Sequence, residues 1–281
     1  MGAQMEYADK TVLITGAARG QGRVHAVAYA ERGADVILLD RCADSTGVNY
    51  PLATEADLAE TVRLVQQTGR RCHSAVVDTG DRAALEAAIA AGEAAVGTVD
   101  VAIANAGVSA MAPITGHDQA VWDEVINSNL TGVFNTIAAV APGMAERGYG
   151  RIVTISSMLG RSSAPGQAAY CASKWGVIGM SKSAAQELAH SGVNVNVIAP
   201  GNIDTPMVRN DNLFRVVRPD LDEPTWEDVG PVIGQLHAQP VDILDPYEIT
   251  RAALFLTGPD STHITGIVVP VDAGAATRTS S

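Results

Sequence analysis

The chain has 281 residues, 19 Lys+Arg against 31 Asp+Glu for a formal charge of −12, and is 47% apolar but only 4% aromatic. That length and apolar fraction suit one α/β domain of ordinary size and exclude disorder over most of the chain, while the acidic balance excludes nucleic acid and anionic membrane as natural partners. The opening MGAQMEYADK has neither the basic nor the apolar stretch of a secretory leader, and Glu6 stands where an amino-terminal acylation motif requires Ser or Thr. No apolar run approaches the ~20 residues of a membrane span. Cys42, Cys72 and Cys171 are odd in number and lack metal spacing, so they read as reduced thiols of a soluble cytoplasmic protein.

The first predicted strand, TVLIT (11–15), runs into TGAARGQG and a helix over about 20–32. Gly16, Gly20 and Gly22, with Arg19 and Gln21 between them, form a turn that lets backbone approach a pyrophosphate at a helix amino terminus. The second strand, DVILLD (35–40), ends in Asp40, 18 residues after Gly22, where a carboxylate can hold both hydroxyls of an adenosine ribose. Arg19 and Arg41 could each attract a 2′-phosphate, but Asp40 would repel it, so the charges favour NAD over NADP. Arg19 then has the pyrophosphate or an acidic neighbour as its partner.

An insertion, RCADSTGVNYPLAT (41–54), precedes a helix over 55–68, strand CHSAVVD (72–78) and an Ala-rich covering helix over 81–95. Strand VDVAIA (99–104) leads to a helical stretch over 118–147, which Pro142 should kink or stop. Strand RIVTIS (151–156) is followed by a helix over 170–191, strand VNVNVIA (193–199), an excursion from Thr205 to Asp245, a helix over 246–257 and strand GIVVPV (266–271). Seven strands, mostly continuous apolar runs, alternate with six helices. This predicts a Rossmann-type doubly wound parallel sheet between two helical layers, built as a single domain over residues 1–281. The excursion over 205–245 reads as a substrate lid, with Met207 and Phe214 among its apolar residues, and Met158 and Leu159 add apolar surface after the fifth strand.

Ser157 ends that fifth strand, and 13 residues later Tyr170 and Lys174 share a helix face at i, i+4 spacing. A neighbouring ammonium and an oxidised nicotinamide would both favour the phenolate, making Tyr170 a general base for an alcohol proton. Ser157 can hold the same substrate oxygen while hydride passes to the cofactor. The six histidines show no pairing or clustering, so no metal site is expected. Trp175 reads as core or subunit interface.

TGAARGQG, Asp40, Asp78, ANAG (104–107), Asn129 in NSNLTG, Ser157, YCASK (170–174) and PGNIDT (200–205) together resemble the short-chain dehydrogenase/reductase family over nearly the whole chain. The resemblance implies a homotetramer with a Ser-Tyr-Lys reaction centre. It also implies that Lys174 binds the nicotinamide ribose and that Asn129 holds a water of a proton relay. Asp78 and Thr79 would meet adenine, and Asn105, Ala106 and Gly107 the adenosine side. Thr205 would hold the carboxamide, with Pro200 and Ile203 against the nicotinamide. Ala104 departs from the family's more frequent Asn.

GAARGQGRVHAVAYAERGAD, VILLDRCAD, YPLATEADLAETVRLV and TGIVVPVDAGAATR are further similar to the mycofactocin-coupled, carveol dehydrogenase-like subgroup. That similarity implies tightly held NAD beneath the 41–54 insertion, a separate redox partner and an apolar alicyclic secondary alcohol as substrate. The rivals are an NADPH-dependent 3-oxoacyl-type reductase and a non-catalytic nucleotide-binding scaffold. Asp40 weighs against the first and the complete Ser157-Tyr170-Lys174 set against the second.

Overall fold

Alternation along the strands decides the architecture. In β1 (Thr11–Thr15) and β2 (Asp35–Asp40), Val12, Ile14, Val36 and Leu38 enter one apolar cluster, while Leu13, Ile37 and Leu39 enter another on the opposite face. Both faces are therefore covered, as buried parallel strands require. The computed structural model describes residues 5–278. The Met1-Gly2 pair weighed against the acylation motif lies outside them.

The sheet has seven strands, all paired in parallel, in the order β3-β2-β1-β4-β5-β6-β7. The remaining strands are β3 (Cys72–Val76), β4 (Val101–Ala104), β5 (Gly150–Ile155), β6 (Val193–Pro200) and β7 (Val268–Val271). Helices α1 (Gly20–Glu31), α2 (Glu55–Gln67) and α9 (Pro246–Thr257) supply the first cluster with Ala26, Tyr29, Leu58, Val65, Ile249 and Leu254. Helices α3 (Arg82–Val96), α5 (Gly132–Arg147) and α6 (Ala168–Leu188) supply the second with Leu85, Ile89, Ile137, Val140 and Val177. Strand order reverses between β1 and β4. The crevice beyond their carboxyl ends is where such sheets take ligands.

Local chemistry fixes the helix ends. A reciprocal Thr54–Asp57 capping box opens α2, Asp81 caps α3, and Asp245 caps α9 with Pro246 in its first turn. Helix α1 is different: its first-turn amides receive no side-chain cap.

Several predicted boundaries move. Strand β3 stops at Val76 and β7 starts at Val268, although Val77 N still donates to Asp40 O at 2.8 Å and Ile267 O still accepts from Val197 N at 3.0 Å. The stretch 118–147 is α4 (Gln119–Ile126), a π turn over Asn127–Thr131, and α5, running on through Pro142 to Arg147. Left-handed Gly148 (φ +68°) terminates it instead of the proline. The 205–245 excursion folds into two short helices, α7 (Asp211–Val217) and α8 (Trp226–Gly234). Its ends are stapled where Ile203 pairs with Leu244. Trp175 is not core: it is 48% exposed on α6, its indole N–H donating to Ser162 O at 3.0 Å. Among the described residues no helix is long and apolar enough to cross a membrane, and no His/Cys/Asp/Glu group could hold a metal ion.

Candidate active site

The crevice at the β1/β4 switch point is an open cleft of about 910 Å³, counting its mouth. Gly16, Arg19, Gly20, Gln21, Asp40, Arg41, Asp78, Thr79, Asn105, Ala106, Gly107, Thr205 and Met207 line it, so most of the predicted cofactor positions converge. Gly16 sits at φ +67°, and a Cβ there would lie 2.8 Å from Ala106 Cα. Gly22 serves packing rather than lining: a Cβ there would lie 2.0 Å from Gly16 O, so only glycine lets α1 approach the loop.

The cleft's chemistry fits a dinucleotide. Uncapped α1 turns bare amides toward it, the arrangement that receives a pyrophosphate. Asp40 is held at the rim by N–H donation from Ala18 to Oδ2 and from Cys42 to Oδ1, each at 3.0 Å. Asp78 Oδ1 accepts from Gly80 N at 2.8 Å. Asn105 uses its side-chain amide on the backbone, donating to Thr15 O at 3.0 Å and Gly16 O at 3.2 Å, so it shapes the loop end.

Both arginines are engaged by the protein. Arg19 donates to Pro51 O of the insertion at 2.5 Å, neither of the partners expected from the sequence. Arg41 pairs with Glu124 at 2.7 Å and with Asp78 at 3.4 Å.

The Ser157-Tyr170-Lys174 set expected from the resemblance lies at the ends of β5 and α6. The Lys174 ammonium donates to Ile155 O at 3.0 Å and stands 5.6 Å from the Tyr170 ring centre. Burial pushes the Tyr170 phenol up to about 12, with nearby Ser157 pulling the other way, and brings Lys174 down to about 8. Spacing alone predicts a phenol made acidic by the ammonium, but in the protein by itself desolvation sets the direction.

Ser157 accepts from Leu159 N at 3.1 Å, which fixes its hydroxyl at the strand end. Asn129 sits in the π turn. Its Oδ1 accepts from Val108 N at 2.7 Å, and its Nδ2 donates to Val108 O at 2.9 Å and Ser173 Oγ at 3.2 Å. Both amide hydrogens are thus occupied.

Some predicted contacts are not in the cleft lining, and Ser157, Tyr170 and Lys174 are not in it either. Pro200 and Ile203 are buried behind the cleft and do not line it. The Phe214 ring faces Trp226 at 6.2 Å inside the 205–245 segment and is not in the cleft lining. Met158 and Leu159 are partly buried next to Ser157 without lining the cleft.

Sequence reasoning missed Tyr50. It belongs to the insertion, lines the cleft, and accepts from Ser109 N on its hydroxyl at 3.3 Å. Its neighbours Val48 and Leu52 pack on the apolar cluster of Val108, Ala110, Val125 and Ala169, against which Tyr170 also packs. Glu124 and Ser128 were missed too, since on an amphipathic helix both read as ordinary surface positions. Tyr50 opens the YPLATEADLAETVRLV stretch of the subgroup similarity, but that similarity gave its side chain no contact.

Residues 10–215 match the short chain dehydrogenase family model. The chain is 38% identical over 273 residues to (-)-trans-carveol dehydrogenase of Rhodococcus erythropolis, covering 96% of this chain and 98% of that protein. It is 36% identical over 270 residues to a 3-oxoacyl-[acyl-carrier-protein] reductase of Chlamydia trachomatis, covering 95% and 98%. Among solved structures it superposes on carveol dehydrogenase from Mycobacterium avium in complex with NAD with a TM-score of 0.95 at 41% identity, covering 97% of this chain and 99% of that one. The chain belongs to the short-chain dehydrogenase family.

Proposed function

We propose that the protein interconverts an apolar, carveol-like alicyclic secondary alcohol and its ketone, retains its NAD beneath the 41–54 insertion, and passes electrons to a separate redox partner of the mycofactocin type. The coarser activity is that of an NAD-dependent alcohol dehydrogenase, in keeping with the carveol dehydrogenase relatives and the NAD-bound neighbour. The observation that carries the finer reading is Tyr50. It brings the insertion over the cleft and fastens it at Ser109, beside the reaction centre, with an apolar wall of Val48, Leu52 and Val108.

The chain's own residues divide the work. The α1 amides and Asp40 would hold the pyrophosphate and adenosine ribose, with Asp78 and Thr79 at the adenine. NAD, when bound, supplies the hydride acceptor and a positive charge beside the phenol. Ser157 Oγ holds the substrate oxygen, and Tyr170 Oη takes the alcohol proton in oxidation or returns it in reduction. Lys174, fixed by Ile155 O, keeps an ammonium next to that phenol and is available to the nicotinamide ribose. Asn129 keeps the π turn and the 107–108 backbone in register behind it. Residues 205–245 serve as the substrate lid, with Met207 facing the cleft. A cytoplasmic homotetramer is the assembly this reading carries.

The test is to purify the protein with no added cofactor, denature it, and identify and count the released nucleotide. Near-stoichiometric NAD(H), with carveol oxidised in the presence of an artificial electron acceptor, supports the reading. An empty protein that turns over carveol with added NAD overturns retention but keeps the chemistry. NADPH-dependent reduction of a 3-oxoacyl thioester in preference to carvone would establish the rival activity.

A further inference from the structure

The end of β2 carries opposite signals for cofactor choice: Asp40 repels a 2′-phosphate and Arg41 would attract one. In the folded chain the Arg41 guanidinium is turned to Glu124 Oε1 at 2.7 Å and to Asp78 Oδ2 at 3.4 Å. The Glu124 contact spans 83 positions of sequence, so it is a product of the fold. Glu124 is itself held in place, accepting from Ser128 Oγ at 2.8 Å, and Ser128 lines the same cleft as Arg41, Asp40 and Asp78. With side-chain exposures of only 22% for Arg41 and 16% for Glu124, water and salt screen this pair less than a surface pair. Burial opposes ionisation of Glu124, but bonds from Arg41, Ser45 and Ser128 outweigh it and keep the carboxyl below its ordinary range. The remaining cation of the loop, Arg19, is drawn to Pro51 O.

We infer that Glu124 is a specificity-determining residue for NAD over NADP: it neutralises Arg41 and holds its guanidinium fork, so the one cation positioned beside Asp40 is withheld from a 2′-phosphate. Discrimination is then built from two parts, direct repulsion by Asp40 and removal of Arg41 from service by Glu124. A guanidinium presents a planar fork that suits carboxylate and phosphate alike, so the two anions compete for one geometry. The inference rests on the NAD-binding reading above.

The experiment counts nucleotide and needs no turnover. Parent, Glu124→Gln, Glu124→Ala and Arg41→Ala/Glu124→Gln proteins are stripped on charcoal, or unfolded and refolded where the resident nucleotide resists. Each is then equilibrated with an equimolar mixture of NAD and NADP, desalted and denatured, and the captured nucleotides are quantified. Glu124→Gln should raise the captured NADP:NAD ratio by about 10-fold. Glu124→Ala should do the same if the Gln variant fails to fold or its amide still engages Arg41. Arg41→Ala should cancel the gain. An unchanged ratio in both Glu124 variants overturns the assignment, as does a gain that survives Arg41→Ala. A parent protein that itself prefers NADP overturns the NAD reading together with this one, whereas a parent that prefers NAD beside unchanged Glu124 variants overturns this one alone.

Discussion

Lys174 is a buried cation whose nearest hydrogen-bond acceptor is a main-chain carbonyl: its ammonium donates to Ile155 O at 3.0 Å, and Tyr170 lies beside it with the ring centre 5.6 Å away. Among the described residues no carboxylate pairs with it, and burial lowers its pKa to about 8. A base whose folded pKa lies below its unfolded value makes the folded state less favourable at low pH. The cost is fully present below about 8 and is relieved as pH rises from about 8 toward 10.5. Replacing Lys174 with the similarly long Met should therefore abolish turnover while stabilising the nucleotide-free protein at pH 7. The gain should be on the order of 1–3 kcal/mol, less than the full linkage because the bond to Ile155 is lost. Urea unfolding of stripped parent and Lys174→Met protein at pH 7 and pH 10 measures this. The variant's advantage should shrink at the higher pH.

Tyr170→Phe removes one oxygen from the reaction centre and leaves the cleft lining untouched. Turnover should fall by about 10²–10⁴-fold, the usual contribution of a positioned acid–base group. The amount of NAD(H) that co-purifies should match the parent. A mutant that still oxidised alcohol at the parent rate would remove Tyr170 from the mechanism. In parent protein the pH–rate profile of alcohol oxidation should place the base's apparent pKa far below the value of about 12 that burial gives the phenol, because the working complex carries the nicotinamide charge as well.

The seven parallel strands and the closeness of Tyr170 to Lys174 could be read from the sequence because both rest on local pattern. Continuous apolar runs mark buried parallel strands, and Tyr170-Lys174 spacing survives any small error in the helix boundary. What could not be read depends on contacts made across the fold. The π turn that carries Asn129 arises from Val108 backbone groups reaching its amide, 21 positions away. Helix α5 passes through Pro142 because tertiary packing of Val140 and Met144 overrides the missing donor. The partners of Arg19 and Arg41 lie 32 and 83 positions off, so charge alone gave no way to see that neither guanidinium is free. Phe214 was read as substrate-facing from its apolarity, but that apolarity serves Trp226 within the same segment.

Tyr50 offers a graded test of cofactor retention. Tyr50→Phe keeps the ring and deletes one hydrogen bond from Ser109 N, a change of about 1 kcal/mol. The release rate of bound NAD should rise about 5-fold. Tyr50→Ala also removes the ring from the cleft wall and should raise it further. Exchange of bound NAD against isotopically labelled NAD, followed by mass spectrometry, reads the rate directly. Single-turnover oxidation of alcohol by protein that already holds NAD should change little in Tyr50→Phe. Equal exchange rates in all three proteins would remove Tyr50 from retention.

His25 predicts an acid limb in stability that has nothing to do with the reaction. It is fully buried between α1 and α9, with Nδ1 2.8 Å from Thr250 Oγ1 and, among the described residues, no hydrogen-bond partner for Nε2. Burial lowers its pKa from 6.5 to about 4, so the folded chain keeps it neutral where the unfolded chain protonates it. Stability from this group is present above about 6.5 and is lost as pH falls toward about 4. Over that window the loss amounts to about 3 kcal/mol. His25→Asn keeps a polar partner for Thr250 without a titrating ring. It should be less stable than the parent at pH 7 because the smaller side chain leaves a cavity, but its stability should fall less steeply between pH 6.5 and 4. Chemical unfolding of both proteins across that range decides the matter: parallel curves would assign the acid limb to other groups.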